Sequence, residues 1–317
     1  MRSFRILLLI GYIGFIFAHI SITNHLDEKL RQTKIEIAKL HIREESIVET
    51  KVYNVKWNRL WKEDLNKELP FIANTFNKIF LIEANHFITF SFDASNNISS
   101  REIIPISNNG PIKFVRSIIW KNVLYLLICY ITDFCIIYTQ TNNLQLRYRQ
   151  TIQYKCPMDA NFFVRDNRLY LVVADNFGQF PVPSLIYHWK ETYMDKIKDI
   201  ITTAAVSVTT FKYKQSTIIV FAQNNENIPD IGSMVYEFTE TSLDKIQFLK
   251  TSNPISVHHY RHAGFSFILL INQYEPSNLL WWDGYELLNW QQIPEIEIPD
   301  LIHIVNINDD NFFFRSL

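Results

Sequence analysis

The sequence predicts an all-β chain: a β-propeller of about six four-stranded blades, preceded by an N-terminal signal peptide and a short helix. Three observations carry that expectation. The first is a period. Apolar runs end at Ala84, Cys129, Ala174, Ala222, Ile271 and Ser316, at intervals of 45, 45, 48, 49 and 45 residues. Repeats of this length, each holding several short β-rich runs, are how propeller blades read in sequence. The second is the character of the runs. Ile79–Ile82, Leu124–Ile128, Leu169–Val173, Ile218–Phe221, Phe267–Leu270 and Phe312–Phe314 are apolar through consecutive residues. A strand buried on both faces by neighbouring blades needs that pattern. The third is composition, with 15% aromatic residues and only seven glycines, which suits strands rich in Tyr, Phe and Trp.

Taken in order, the chain opens with Arg2 and Arg5 before an apolar run from Ile6 to Phe17, with Ala18 or Ser21 as the small residue at a cleavage point. That is the layout of a secretory signal peptide, here residues 1–21. The alternative is an uncleaved anchor, but a bilayer span wants roughly 20 apolar residues and His19 interrupts this one. Residues 22–46 read as a helical segment. Leu26, Leu30, Ile37 and Leu40 fall on one face, with Asp27, Glu28, Lys29, Arg31 and Lys34 elsewhere. Such a face either packs on its own domain, serves as a stalk, or zips to a second copy. From Ile47 to Trp57 the pattern turns to alternation, the signal of one isolated strand.

Residues 47–317 are then the propeller. Its clearest unit runs Leu169–Ala174, a polar loop from Asp175 to Pro183, Leu185–Trp189 and Ile197–Ile201. Shifted by 48 residues, the first run becomes Thr217–Ala222, and Ser184–Trp189 becomes Ser233–Phe238. A further shift gives Ser266–Ile271 and Ser277–Trp282, closed by Asp283-Gly284, a hairpin turn. Outer strands should be half-exposed and alternating, as in Lys245–Lys250. The last repeat stops at Leu317 after two strands, so residues 47–60 are expected to pair with 301–317 and complete a composite blade.

The block from Leu169 to Gln223 resembles the EAR/EPTP (epitempin) repeat. The carrying residues are Val172–Asn176, Ser184-Leu-Ile-Tyr-His-Trp189, Ile200–Ala204 and Val208–Phe211. The resemblance spans roughly residues 120–300. It implies a secreted or cell-surface propeller that binds other extracellular proteins and has no catalytic activity. In the same pattern an acidic residue at the start of an inner strand survives as Asp159, with Ser207 and Ser256 at the equivalent places.

Composition bounds the rest. Apolar residues make up 48% and charged ones 20% of 317 residues, with net charge −1 and both signs interspersed. That supplies a core and excludes a nucleic-acid groove or a polybasic membrane patch. The expected partner is an extracellular or cell-surface protein, with no nucleic acid and no stable membrane insertion once the signal is removed. Ligand contact is expected in the loops Asn176–Pro183, Asn224–Gly232 and Gln273–Asn278, which are polar and differ in length. Trp189, Phe238 and Trp282 end the same Ser-initiated strand, so they read as core and not as ligand contacts.

No catalytic, cofactor-binding or metal-ligating residue is expected. His258, His259 and His262 are the most metal-like group, but no Asp, Glu or Cys lies nearby in sequence to complete a tetrahedral set. Alternation sends His258 and His262 to one face and His259 to the other. Asn308-Asp309-Asp310-Asn311 lacks the ligand spacing of a calcium loop and fits a hairpin turn. No nucleophile elbow, phosphate loop or His-Glu-x-x-His helix is present. Cys129 and Cys135 flank a short turn and either form a hairpin disulfide or stay buried thiols, with Cys156 odd. Asn97-Ile98-Ser99 is a glycosylation sequon. The alternatives to a binding module are a propeller hydrolase or lyase with a channel site, and a structural matrix or coat protein.

Overall fold

A computed structural model describes residues 28–39, most of 109–293 with side chains, and the backbone of strands within 72–105 and 302–315. The chain divides into two compact units, residues 1–55 and 56–317. In the first, residues 28–39 form a helix, α1. Its buried positions are Ile35 and Ala38, while Leu30 and Ile37 are 57% and 61% exposed. The expected Leu30–Ile37 stripe is therefore not the packed face, because Ile35 and Ala38 lie at i and i+3 on another side. Leu26 and Leu40 lie outside the described residues, as do the expected signal segment at 1–21 and the strand at 47–57.

The second unit is a ring of antiparallel sheets. The first holds β1 (Ile72–Thr75), β2 (Lys78–Glu83), β3 (His86–Phe92) and β4 (Ile98–Pro105), and the second β5 (Ile112–Trp120), β6 (Val123–Tyr130), β7 (Phe134–Thr141) and β8 (Arg147–Gln153). The third holds β9 (Pro157–Arg165), β10 (Arg168–Asp175), β11 (Val182–Lys190) and β12 (Tyr193–Thr202). The fourth holds β13 (Ala205–Tyr213), β14 (Ser216–Gln223), β15 (Ser233–Phe238) and β16 (Leu243–Leu249). The fifth holds β17 (Pro254–His262), β18 (Phe265–Asn272), β19 (Ser277–Trp282) and β20 (Leu287–Ile293), and β21 (Ile302–Ile307) pairs with β22 (Asp310–Arg315). Each four-stranded sheet is a meander in sequence order. The first strands follow one another as β1, β5, β9, β13, β17 and β21, and β21 approaches β1. The architecture is a β-propeller, with six sheets around the ring among the described residues. Residues 47–60, expected to complete the last sheet, lie outside that range.

Why the apolar runs are continuous is visible in the second strands. Leu169, Leu171 and Val173 of β10 join a core with Tyr125, Leu127 and Ile137 of the second sheet. The alternate residues Tyr170, Val172 and Ala174 face the other way, into a core with Ile219 and Phe221 of the fourth. Ile218, Val220 and Ala222 of β14 in turn meet Val257, Ile268 and Leu280 of the fifth. Each second strand is sandwiched, and burying each such side chain is worth about 1.5–3 kcal/mol.

Polar clamps cross the outer part of two seams. Gln150 of β8 donates its Nε2–H to the Met194 carbonyl (3.2 Å) and accepts from the Met194 N–H (2.7 Å). Gln247 of β16 does the same to Leu287, at 2.9 and 2.8 Å. This reverses the alternation expected of Lys245–Lys250. Gln247 turns to the next blade, leaving Ile246 and Phe248 36% and 49% exposed, because a bulge opposite Val235 and Tyr236 shifts the strand's register.

Candidate functional site

The loops between second and third strands occupy 131–133, 176–181, 224–232 and 273–276 in the second to fifth sheets. The structure shortens two of the expected loops, since β11 absorbs Val182 and Pro183 and β19 absorbs Ser277 and Asn278. The stems of the last three are built alike. A serine at or near the start of the third strand is buried and accepts a hydrogen bond from the last N–H of the second strand. The pairs are Asp175 N–H to Ser184 Oγ (3.3 Å), Gln223 N–H to Ser233 Oγ (3.4 Å) and Asn272 N–H to Ser277 Oγ (3.3 Å). Ser184 and Ser233 also meet Thr202 and Thr251 at the foot of the outer strand, at 2.7 and 3.0 Å.

In the same three sheets the residue ending the second strand adds a side-chain lock to the loop stem. The Asp175 carboxylate accepts from the N–H groups of Cys156 (2.7 Å) and Lys155 (3.3 Å). Gln223 accepts from Thr203 N–H (2.7 Å) and donates to the Gly232 carbonyl (2.8 Å), and Asn272 donates to the Pro276 carbonyl (2.9 Å). The sequence reading assigns Asp175 to a polar loop and gives Gln223 and Asn272 no role, so it misses the clamp. The signal is a polar residue followed, across the loop, by a serine in three successive repeats.

Toward the ring's centre, Asp159 on β9 is 4% exposed. Its Oδ1 accepts from Arg116 Nη2 (2.5 Å) and from the Ala160 N–H (2.7 Å), and its Oδ2 from Ser207 Oγ (2.6 Å) and the Val208 N–H (3.0 Å). Ser207 Oγ accepts in turn from the Val257 N–H (3.2 Å). Strand register sets Asp159, Ser207 and Ser256 opposite Ala174, Ala222 and Ile271, so they are equivalent positions, as the repeat implied. Both oxygens of Asp159 are therefore engaged in tying three first strands together, and Ser207 carries the link to a fourth. A carboxylate held this way is a buried rivet, costly to strip of its partners.

The histidines do not converge. His258 Nε2 lies 3.1 Å from Ser256 Oγ, and His262 is exposed. His259 stacks on Phe211 of the fourth sheet, with ring centres 4.9 Å apart and planes 13° from parallel. Burial, reinforced by the Arg261 charge, pushes its pKa down from 6.5 to about 4. No group of three His, Cys, Asp or Glu placed to hold a metal occurs among the described residues. Cys129 and Cys135 are register partners on β6 and β7, joined by a disulfide with Cα atoms 4.0 Å apart. Cys156 is a free thiol, half-buried beside Lys113. Asn97 and residues 308 and 309 lie outside the described residues.

Residues 147–190 match the EPTP domain. The matched stretch runs from β8 through β11, so it spans the seam between two blades and contains Gln150, Asp159, Asp175, Ser184 and Trp189. No curated protein matches the chain. Among solved structures, a 6-phosphogluconolactonase candidate from Bacteroides fragilis is similar at 12% identity and TM-score 0.52, over 70% of this chain and 69% of that one. SapL1 lectin, crystallised with α-methyl fucoside, is similar at 8% identity and TM-score 0.50, over 75% and 84%. BBS1N, crystallised with ARL6DN, is similar at 11% identity and TM-score 0.50, over 77% and 72%. At these identities the likeness is one of fold.

Proposed function

We propose that this chain is a secreted, non-catalytic propeller that binds another extracellular protein through the loops joining its second and third strands. One observation carries the reading: the stems of those loops are clamped by buried Ser, Thr, Asp, Gln and Asn side chains, while the loops themselves differ in length from sheet to sheet. A rigid frame presenting variable loops is the usual construction of a recognition surface. The EPTP match at 147–190 supports the interaction class. The layout of residues 1–21 and the Cys129–Cys135 disulfide support an oxidising, extracellular destination. No helix among the described residues is long and apolar enough to cross a membrane.

The test replaces residues 225–230 with a Gly-Ser run of equal length, leaving the clamp at Gln223, Gly232 and Ser233 intact. Parent and variant, collected from culture medium, are compared by melting and by capture of cell-surface proteins. The expected result is a stability change within about 0.5 kcal/mol, with loss of a protein that the parent captures. Equal capture by both, or saturable turnover of a small substrate by the parent, overturns the binding role. Retention of the parent in membranes through carbonate extraction overturns secretion.

A further inference from the structure

The seam between the third and fourth blades lacks the glutamine clamp of its neighbours. Lys198 stands opposite Ile186, where Gln150 and Gln247 stand opposite Ile137 and Val235. Leu243 stands opposite Phe238, where the clamped Met194 and Leu287 stand opposite Trp189 and Trp282. An ammonium has three donors and no acceptor, so it cannot make the reciprocal amide contact. Here the seam opens into a pocket of about 200 Å³ whose lining includes Lys198, Leu243, Arg165, Arg168 and Tyr170.

Its charge is unusual for a blade edge. Arg165 and Arg168 are cross-strand partners at the β9–β10 turn, so their side chains leave the same face of the sheet. The turn between them holds Asp166 and Asn167 in left-handed conformation, at φ 47° and 55°. Like charges placed directly opposite are destabilising, and Lys198 adds a third. Asp166 offsets part of this, 3.1 Å from Arg165 Nη2. The Arg165 side chain is 6% exposed, its guanidinium carbon lies 5.2 Å from the Phe238 ring centre, and its buried Nε–H has no acceptor. A guanidinium held over an aromatic ring with a donor unmet is preorganised for planar or tetrahedral oxygens.

We propose that this pocket binds a small oxyanion, a carboxylate, sulfate or phosphate group, held by Arg165, Arg168 and Lys198. The Asp166 and Glu240 carboxylates on its lining favour one small oxyanion over a polyphosphate. The site goes beyond the loop-mediated reading and is independent of it. It is built from the β9–β10 and β15–β16 turns, at the opposite end of the strands from the recognition loops.

The experiment is a melting series on the full chain in sodium sulfate, phosphate or acetate, each against sodium chloride at matched ionic strength. Parent, Lys198→Gln, Arg168→Gln and the exposed control Lys250→Gln are compared. General salting effects act on all four alike, so the difference between variants isolates the pocket. An anion-specific rise in the parent and control that shrinks about threefold or more in Lys198→Gln and Arg168→Gln supports the site. A rise confined to acetate assigns it to carboxylates, and one confined to sulfate and phosphate to tetrahedral anions. No specific rise in the parent, or an equal rise in all four, overturns it.

Discussion

His259 shows what a single side chain takes from its surroundings. In sequence it is one of three histidines on a strand. In the structure it is the one that enters a blade seam, stacked on Phe211, and burial holds it neutral to about pH 4. Because the unfolded chain's imidazole protonates near 6.5, the unfolded state binds the extra proton between those values. Stability from this group is therefore complete above about pH 6.5 and is lost as pH falls toward 4, by on the order of 3 kcal/mol at the limit. His259→Phe keeps the ring stack and removes the titration. Its unfolding free energy is expected to fall less steeply than the parent's between pH 6.5 and 4, measured by urea titration at a series of pH values. Parallel curves would place the acid sensitivity on other groups.

At the scale of the strand, the third strand of the third, fourth and fifth sheets does two jobs with its two ends. A serine at or near its start, Ser184, Ser233 or Ser277, closes the loop stem. An aromatic at its far end, Trp189, Phe238 or Trp282, wedges against the preceding blade. Trp189 meets Tyr125 edge-on at 5.1 Å, Phe238 meets Phe163 at 5.9 Å, and Trp282 meets Phe211 at 5.6 Å. The expectation that these aromatics are core holds at all three. The following turn is fitted to the same seam. Gly284 has φ +106°, and a Cβ there would come within 2.5 Å of the Tyr213 hydroxyl. Trp189→Ala is expected to cost about 3–5 kcal/mol, read as a shifted denaturation midpoint. Partner capture should be unchanged wherever the variant remains folded. A variant that melts like the parent yet loses its partner would move Trp189 onto the recognition surface.

At the scale of the molecule, the ring depends on its last hairpin. β21 follows β17 around the ring and approaches β1, and β22 is its pairing partner. Removing residues 310–317 leaves β21 without that partner and exposes an edge able to template association. The truncated chain is expected to aggregate or fail to reach the medium, checked by size-exclusion chromatography of secreted and cell-retained fractions. A monomeric, secreted truncation with unchanged melting would show that β22 is dispensable to the ring.

Repetition made the architecture legible. Continuous apolar runs at a fixed interval require a strand covered on both sides, and six such runs fell on β2, β6, β10, β14, β18 and β22. The Ser-initiated strand and its terminal aromatic were legible for the same reason, since each repeat must solve the same packing problem. What only the tertiary structure decided lies between repeats, where residues far apart in sequence meet. Nothing local says that Asp159 is claimed by Arg116 and Ser207 from flanking blades, or that Gln247 turns inward while Phe248 faces out. Nor could periodicity choose between the Leu30 and Ile35 faces of α1, both of which carry apolar residues. The pocket at Lys198 shows the limit best: a lysine on an exposed strand is ordinary by itself, and becomes a site only where the neighbouring seams show the clamp it replaces and two arginines close around the gap.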